Sequence, residues 1–202
     1  MPVAGLLPPM HGPGDVRFFT RFARLYDAAM PPARRGPLRR AVASASRPVE
    51  RVLDLAGGPG RSVRAVDANE RVVADAAPGM VRRAKTAGLA AVVADAGRLP
   101  FRGDTFDAVL LTDALHHLPD RSAALAEAHR VCRAGGVLVV RDFDPRTVRG
   151  RALVAVERLV GFDSAFARPG DVAARCRDAG FDASVRDEGF SFTVVGEKRE
   201  GN

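Results

Sequence analysis

Between residues 49 and 143 the chain returns five times to a short apolar run. The runs are VERVLDL (49–55), ERVVADA (70–76), AAVVADA (90–96), TFDAVLLTD (105–113) and VLVVRDF (137–143). Their centres are unbroken Val, Leu and Ala, not alternating polar and apolar residues, as expected of strands covered on both faces. Helices fit between them. One starts near Gly60, one runs from Pro78 to Ala87, and one runs from Arg121 to Cys132 with Asp120 as N-cap and Gly135-Gly136 beyond its end. Strand–helix repetition of this kind predicts an α/β fold, a doubly wound and mostly parallel sheet.

Helices near 150–160 and 170–179 follow, and two closing segments, DASVRDEGF and FTVVGEKR, suit a final antiparallel pair. Before the strands, VRFFTRFARLYDAAM places Phe18, Phe22, Leu25 and Tyr26 at helical spacing, and PPARRGPLRRAVASAS breaks and resumes. The expected organisation is therefore a tail and lid helices over 1–48 and one ligand-binding core over 49–202. At 202 residues the chain is long enough to bury a sizeable core.

Charge and cysteine usage narrow the partners. The net charge is +7, and all but two of the 31 basic residues are arginine, with a cluster from Arg17 to Arg47. That cluster reads as a solvated helical face or as attraction to an anionic partner: an acidic substrate, a membrane surface or nucleic acid. Nucleic acid is the weakest of these. No apolar run approaches the ~20 residues of a membrane span, and the N-terminus lacks the basic start and apolar core of a secretory signal, so the cytoplasm is the default. Cys132 and Cys176 form no CxxC pair and read as small buried hydrophobes.

The run ending in Asp54 is followed by a knot of small residues, Ala56, Gly57, Gly58, Pro59 and Gly60. In a doubly wound fold, ligands settle at the carboxyl ends of the strands, where this turn lies. Glycine there lets a ligand touch main-chain atoms. Nicotinamide, flavin and adenosine-type ligands all use such a turn. Two further acids sharpen it. Asp75 ends the second run and can accept both ribose hydroxyls; Asp95 ends the third, beside the small Ala96, and can accept from an adenine amino group. Each acid also suits a helix N-cap or a surface charge. Together the three strand ends fit an adenosine without requiring a pyrophosphate. A nicotinamide-dependent oxidoreductase shares the turn and the second acid, but no Tyr-x-x-x-Lys pair is present.

VLDLAGGPGR, VVADAAPGMVRRAK, VVADAGRLPFRGDTFDAVLLTDALHHLPD and EAHRVCRAGGVLVV resemble the successive motifs of class I S-adenosylmethionine-dependent methyltransferases, in particular the ubiquinone/menaquinone-biosynthesis subgroup. The resemblance runs from about Phe18 to Lys198. It implies a Rossmann-like sheet of seven strands with the last antiparallel, and S-adenosyl-L-methionine as cofactor. It implies that Asp54 and the turn 56–60 contact the methionine part, that Asp75 with Ala76 holds the ribose, and that Met80, Asp95 and Ala96 border the adenine. It places Thr112 near the reacting centre and lets Tyr26, which also reads as a core aromatic, close over the cofactor. The turn departs from the family pattern: its usual first glycine is Ala56, which must take a negative φ or tolerate strain, and its usual small polar residue is Pro59.

Methyl transfer asks the protein chiefly to align donor and acceptor, with a base only where the acceptor gives up a proton reluctantly. Asp113, His116 and His117, just past the fourth run, are the candidates; the histidines also suit a packing or capping role. Tandem histidines without a third ligand do not argue for a metal. The implied acceptor is a small molecule, a quinone precursor or another apolar metabolite. A non-catalytic cofactor-binding module is the remaining reading. Contact with an anionic surface and pairing into a homodimer are further expectations.

Overall fold

In the computed structural model, residues 15–29, 33 and 35–199 are described, leaving out the side chains of Tyr26, Ala29 and Asp187. Helices α1 (Val16–Ala29) and α2 (Arg35–Val42) lead into the strands β1 (Arg51–Leu55), β2 (Glu70–Asp75), β3 (Ala90–Val93), β4 (Phe106–Thr112), β5 (Cys132–Phe143), β6 (Asp182–Asp187) and β7 (Ser191–Glu197). Between them lie α3 (Pro78–Thr86), α4 (Arg121–Val131), α5 (Val148–Val160) and α6 (Pro169–Asp178). The sheet order is β3-β2-β1-β4-β5-β7-β6. The contacts among β1 to β5 are parallel; β7 is antiparallel to both β5 and β6. The expected seven-stranded, doubly wound α/β sheet is therefore what the chain forms.

The unbroken apolar runs have the predicted cause. Leu53, Val109, Leu111, Leu138 and Val140 point to one layer with Leu125 of α4 and Val172 of α6. Their neighbours Val52, Ala108, Leu110, Val137 and Val139 point to the other, with Leu38 of α2. Burial on both faces removes the need for polar alternation. Asp120 caps α4 as expected, its side chain accepting from the Ala123 N–H at 2.9 Å. Both cysteines are free and buried, and burial pushes each thiol up to about 12.

Two local expectations fail. The helix expected near Gly60 is only a 3₁₀ turn, Val63–Ala65. The run between the glycine turn and Glu70 is too short for the crossover helix that usually joins parallel strands. The fifth strand begins at Cys132, directly after α4, so Gly135 and Gly136 lie within it. A Cβ on Gly136 would come within 2.7 Å of the Asp107 carbonyl, so strand pairing needs glycine there.

Helix α1 docks on α3 beside the carboxyl ends of the strands. A Cβ on Gly79 would lie 2.1 Å from the Thr20 carbonyl oxygen, so the two backbones approach only because that position is bare. Asp27 of α1 and Arg83 of α3 clamp the pair at 2.6 Å.

Candidate active site

The turn after β1 solves its geometry with positive φ. Ala56 stands at +51°, Gly58 at +56° and Gly60 at +79°. Of the two routes open to Ala56, the chain therefore takes the strained one, at a cost of about 1–2 kcal/mol for a residue with a Cβ. Gly57 is bare for a different reason: a Cβ there would fall 2.4 Å from Cγ of Asp54.

Asp54 lies beneath this turn, fully buried. One carboxylate oxygen accepts from the Val63 N–H at 3.1 Å, and the other has no hydrogen-bond partner. Burial, only partly offset by the Val63 N–H, raises its pKa to about 7. A buried acceptor without a donor costs stability. Asp75 staples the turns after β1 and β2. Its Oδ2 accepts from the Gly58 N–H and its Oδ1 from the Ala77 N–H, each at 2.8 Å. Burial raises its pKa, and the two amides work against the rise. Each oxygen keeps a second lone pair for a ligand hydroxyl. Asp95 accepts from the Gly97 N–H at 2.9 Å.

These strand ends border a cleft. Its wide arm, about 790 Å³, is lined by Asp75, Ala76, Asp95, Ala96, Gly97 and Arg17 among others. Its narrow arm, about 80 Å³, is lined by Phe19, Gly58, Met80, Asp113 and His117 among others. The arms share Val16, Ala56, Asp75, Ala76 and Leu118. Asp54, Gly57 and Gly60 shape the floor without lining it. Thr112 is not among the lining residues; its hydroxyl lies 2.5 Å from that of Ser62. Tyr26 belongs to α1, and its side chain lies outside the described residues.

The tandem histidines part company. Both sit on a 3₁₀ turn, Leu115–His117, where successive side chains diverge by about a third of a turn. His117 lines the narrow arm, with Nδ1 3.1 Å from Asp15 Oδ2 and 3.2 Å from Ser164 Oγ. His116 points into the protein. Its Nδ1 lies 2.5 Å from Asp142 Oδ1, its Nε2 3.7 Å from Glu157 Oε1, and Phe166 stacks on its ring. Burial opposes a charge on this ring, but Asp142 and then Glu157 outweigh it and raise the pKa to about 9. Burial also raises Asp113, which has φ +53° and donates its N–H to the Arg141 carbonyl.

His116, His117 and Glu157 bring possible ligand atoms within 4.8 Å of one another, so the tandem histidines do acquire a third group that the sequence reading lacked. The carboxylates on both sides of His116 already suit an imidazolium, which a metal would have to deprotonate. Asp15, Asp142 and Glu157 are the residues that sequence reasoning missed. Only Glu157 left a trace, as the one acid of an otherwise apolar and basic helix.

S-Adenosylmethionine fits this site on structural grounds: a buried, partnerless carboxylate oxygen under a bare turn, and two spaced acids along a cleft. Residues 53–140 match the methyltransferase domain family. The fold is shared with a SAM-dependent methyltransferase from Thermotoga maritima (TM-score 0.72, 20% identity, 91% of this chain and 99% of that one). It is also shared with the cyclase SpnF (TM-score 0.67, 17% identity, 89% of this chain and 77% of that one), and such likeness speaks for the fold alone. The chain thus carries a methyltransferase-domain match over 53–140 on a fold it shares with a SAM-dependent methyltransferase.

Its curated relatives are demethylmenaquinone methyltransferases. It is 39% identical over 115 residues to a demethylmenaquinone methyltransferase of Mycobacterium sp. (strain KMS), covering 56% of this chain and 50% of that protein. It is 45% identical over 102 residues to the corresponding protein of Beutenbergia cavernae, covering 48% and 42%. The chain thus spans about half the length of these curated relatives. No helix among the described residues is long and apolar enough to cross a membrane.

Proposed function

We propose that the protein transfers a methyl group from S-adenosylmethionine to a small apolar acceptor, a ring of the quinone-precursor kind. The observation that carries this reading is the partnerless oxygen of Asp54 beneath the bare turn. A carboxylate there meets the ammonium of the cofactor's amino-acid end, while Asp75 takes the ribose hydroxyls and Asp95 with Ala96 borders the adenine. The bound cofactor supplies the electrophilic methyl group. The protein's own part is to orient the two reactants and exclude water, and alignment of this kind is worth roughly 7–11 kcal/mol.

His117 is the base in this reading. Asp15 holds Nδ1, so Nε2 is the nitrogen that takes a proton from an acceptor hydroxyl. Such a loss of proton readies a ring carbon for methylation. Val16 and Phe19 of α1 cover the cleft, in keeping with 1–48 as lid and 49–202 as core. Two reduced, buried cysteines suit the cytoplasm.

The acceptor names in the relatives and the apolar lining of the narrow arm support the substrate class. Calorimetric titration with S-adenosylhomocysteine tests the cofactor: a 1:1 exothermic isotherm is expected, and no heat at high micromolar concentration overturns it. Incubating the protein with cell extract and isotopically labelled methyl donor tests the acceptor. A labelled lipophilic ring compound is expected in the mass spectrum; label on a polar metabolite alone overturns the substrate class.

A further inference from the structure

We propose that the outer faces of α1 and α5 form a docking surface for an anionic lipid bilayer. The proposal extends the methyltransferase reading, because an apolar acceptor is best taken from the phase in which it dissolves. It starts from where large apolar side chains meet solvent. Among the described residues these are Leu25, Val93, Val148, Val156, Leu159 and Val160. Val93 lines the wide arm of the cleft. The other five all lie on α1 or α5.

On α5 they form a stripe. Val148, Ala152, Val156 and Leu159 recur at helical spacing, and Leu159 is 89% exposed, Val148 75%. At 3.6 residues per turn Glu157, which faces His116 in the interior, falls opposite Val148. The exposed Arg151 and Arg158 flank the stripe on one side, and the exposed Arg149 on the other. An apolar stripe between arginines is the pattern of a helix lying in the plane of a membrane interface, where long cationic side chains reach up to the headgroups.

Helix α1 adds charge. Arg17 and Arg21 are exposed one turn apart, and beyond the kink at Phe22 Arg24 and Leu25 are exposed as well. The two helices hold one acid each, and neither is offered outward: Asp27 is clamped by Arg83, and Glu157 is buried against His116. Within the two helices the outward side chains are therefore cationic or apolar, and the exposed Asp163 lies just past α5. This complementarity selects anionic lipid over a second copy of the same face, whose arginines would oppose these.

The surface is joined to the site. Phe162, just past α5, packs its ring 4.8 Å from Phe18 and 5.6 Å from Phe19 of α1. Phe19 and Val16 line the narrow arm, and Arg17 lines the wide one. Phe162 thus joins the end of α5 to the helix that covers the cleft.

The test is co-sedimentation of the whole protein with vesicles of phosphatidylglycerol and phosphatidylcholine, against vesicles of phosphatidylcholine alone. Binding is expected only to the anionic vesicles and is expected to weaken with salt. Leu159→Glu and, separately, the pair Arg151→Glu and Arg158→Glu should each lower the partition coefficient about tenfold. Circular dichroism and affinity for S-adenosylhomocysteine should stay as in the unaltered protein. Absent or equal binding to the two vesicle types overturns the proposal. So does a concentration-dependent dimer dispersed by Leu159→Glu, which would assign the stripe to self-association. Vesicle binding without any S-adenosylhomocysteine binding would defeat the methyltransferase reading and leave the docking surface standing.

Discussion

Two aspartates at opposite edges of the sheet show how differently one residue type is treated at the same depth. Asp107, near the start of β4, and Asp54, near the end of β1, are 1% and 0% exposed. Asp107 is saturated. It accepts from the Glu50 and Arg51 amides at 3.0 and 2.9 Å and faces Arg47 and Arg133 at 2.9 and 3.0 Å. Burial would raise its pKa, but these donors, led by the Arg51 amide, outweigh it and hold the carboxyl below its usual range. Asp54 has one amide and an idle oxygen, and burial prevails. The amino edge spends its polar groups on one another and holds the fold. At the carboxyl edge Asp54 keeps one oxygen unpaired, which weakens the fold there.

The sharpest way to break this contrast is Asp107→Ala. It strands two arginines and two amides, and an equilibrium denaturation should show a loss of about 3–4 kcal/mol. S-Adenosylhomocysteine affinity, measured where the variant is folded, should hardly move. An equal loss of affinity would mean that the two edges are not separable.

His116 complicates the contrast, since it is a carboxyl-edge residue that is saturated. Its folded pKa of about 9 lies above the ordinary 6.5, so its stabilisation is complete below pH 6.5 and is lost as pH rises through 9. The shift corresponds to about 3 kcal/mol. Thermal melts of the unaltered protein should fall across that window. His116→Gln should be less stable at pH 6.5 and show a flatter profile. A parallel profile would locate the titration elsewhere.

Asp54→Asn should do the reverse of Asp107→Ala: stability kept or raised at neutral pH, and S-adenosylhomocysteine affinity reduced about 30- to 100-fold, the worth of a charge-assisted contact of roughly 2–3 kcal/mol. The unaltered site needs the ionised carboxylate. Its affinity should therefore fall about tenfold per unit below pH 7, and calorimetry on the asparagine variant should lose this dependence. In the cofactor-free fold the same raised pKa favours the protonated form, so stability from this group is lost as pH rises through about 7. The smallest effect expected is from Ala56→Gly. Relief of the positive φ should add about 1 kcal/mol in a urea titration, with affinity unchanged.

Much of this site was legible along the chain because it is built from consecutive motifs. Asp54, Asp75 and Asp95 lie at or within two residues of the ends of β1, β2 and β3, so pairing of those strands brings all three to the carboxyl edge and position in sequence fixes position in space. The helix near Gly60 was misread because small, apolar and basic residues suit a helix locally, while the short span to Glu70 allows only a 3₁₀ turn. Side-chain direction was not legible either. His116 and His117 are neighbours in the text, yet one lines the cleft and the other is enclosed by Asp142 and Glu157 from β5 and α5.

By itself the sequence determined the sheet, its covered faces and the row of acids along one edge, since apolar periodicity and glycine act over a few residues. The tertiary structure alone decided which of those acids stay unsatisfied and which histidine meets the cleft. Those outcomes depend on desolvation and on partners such as Asp15, Asp142 and Glu157, delivered from segments far apart in the chain.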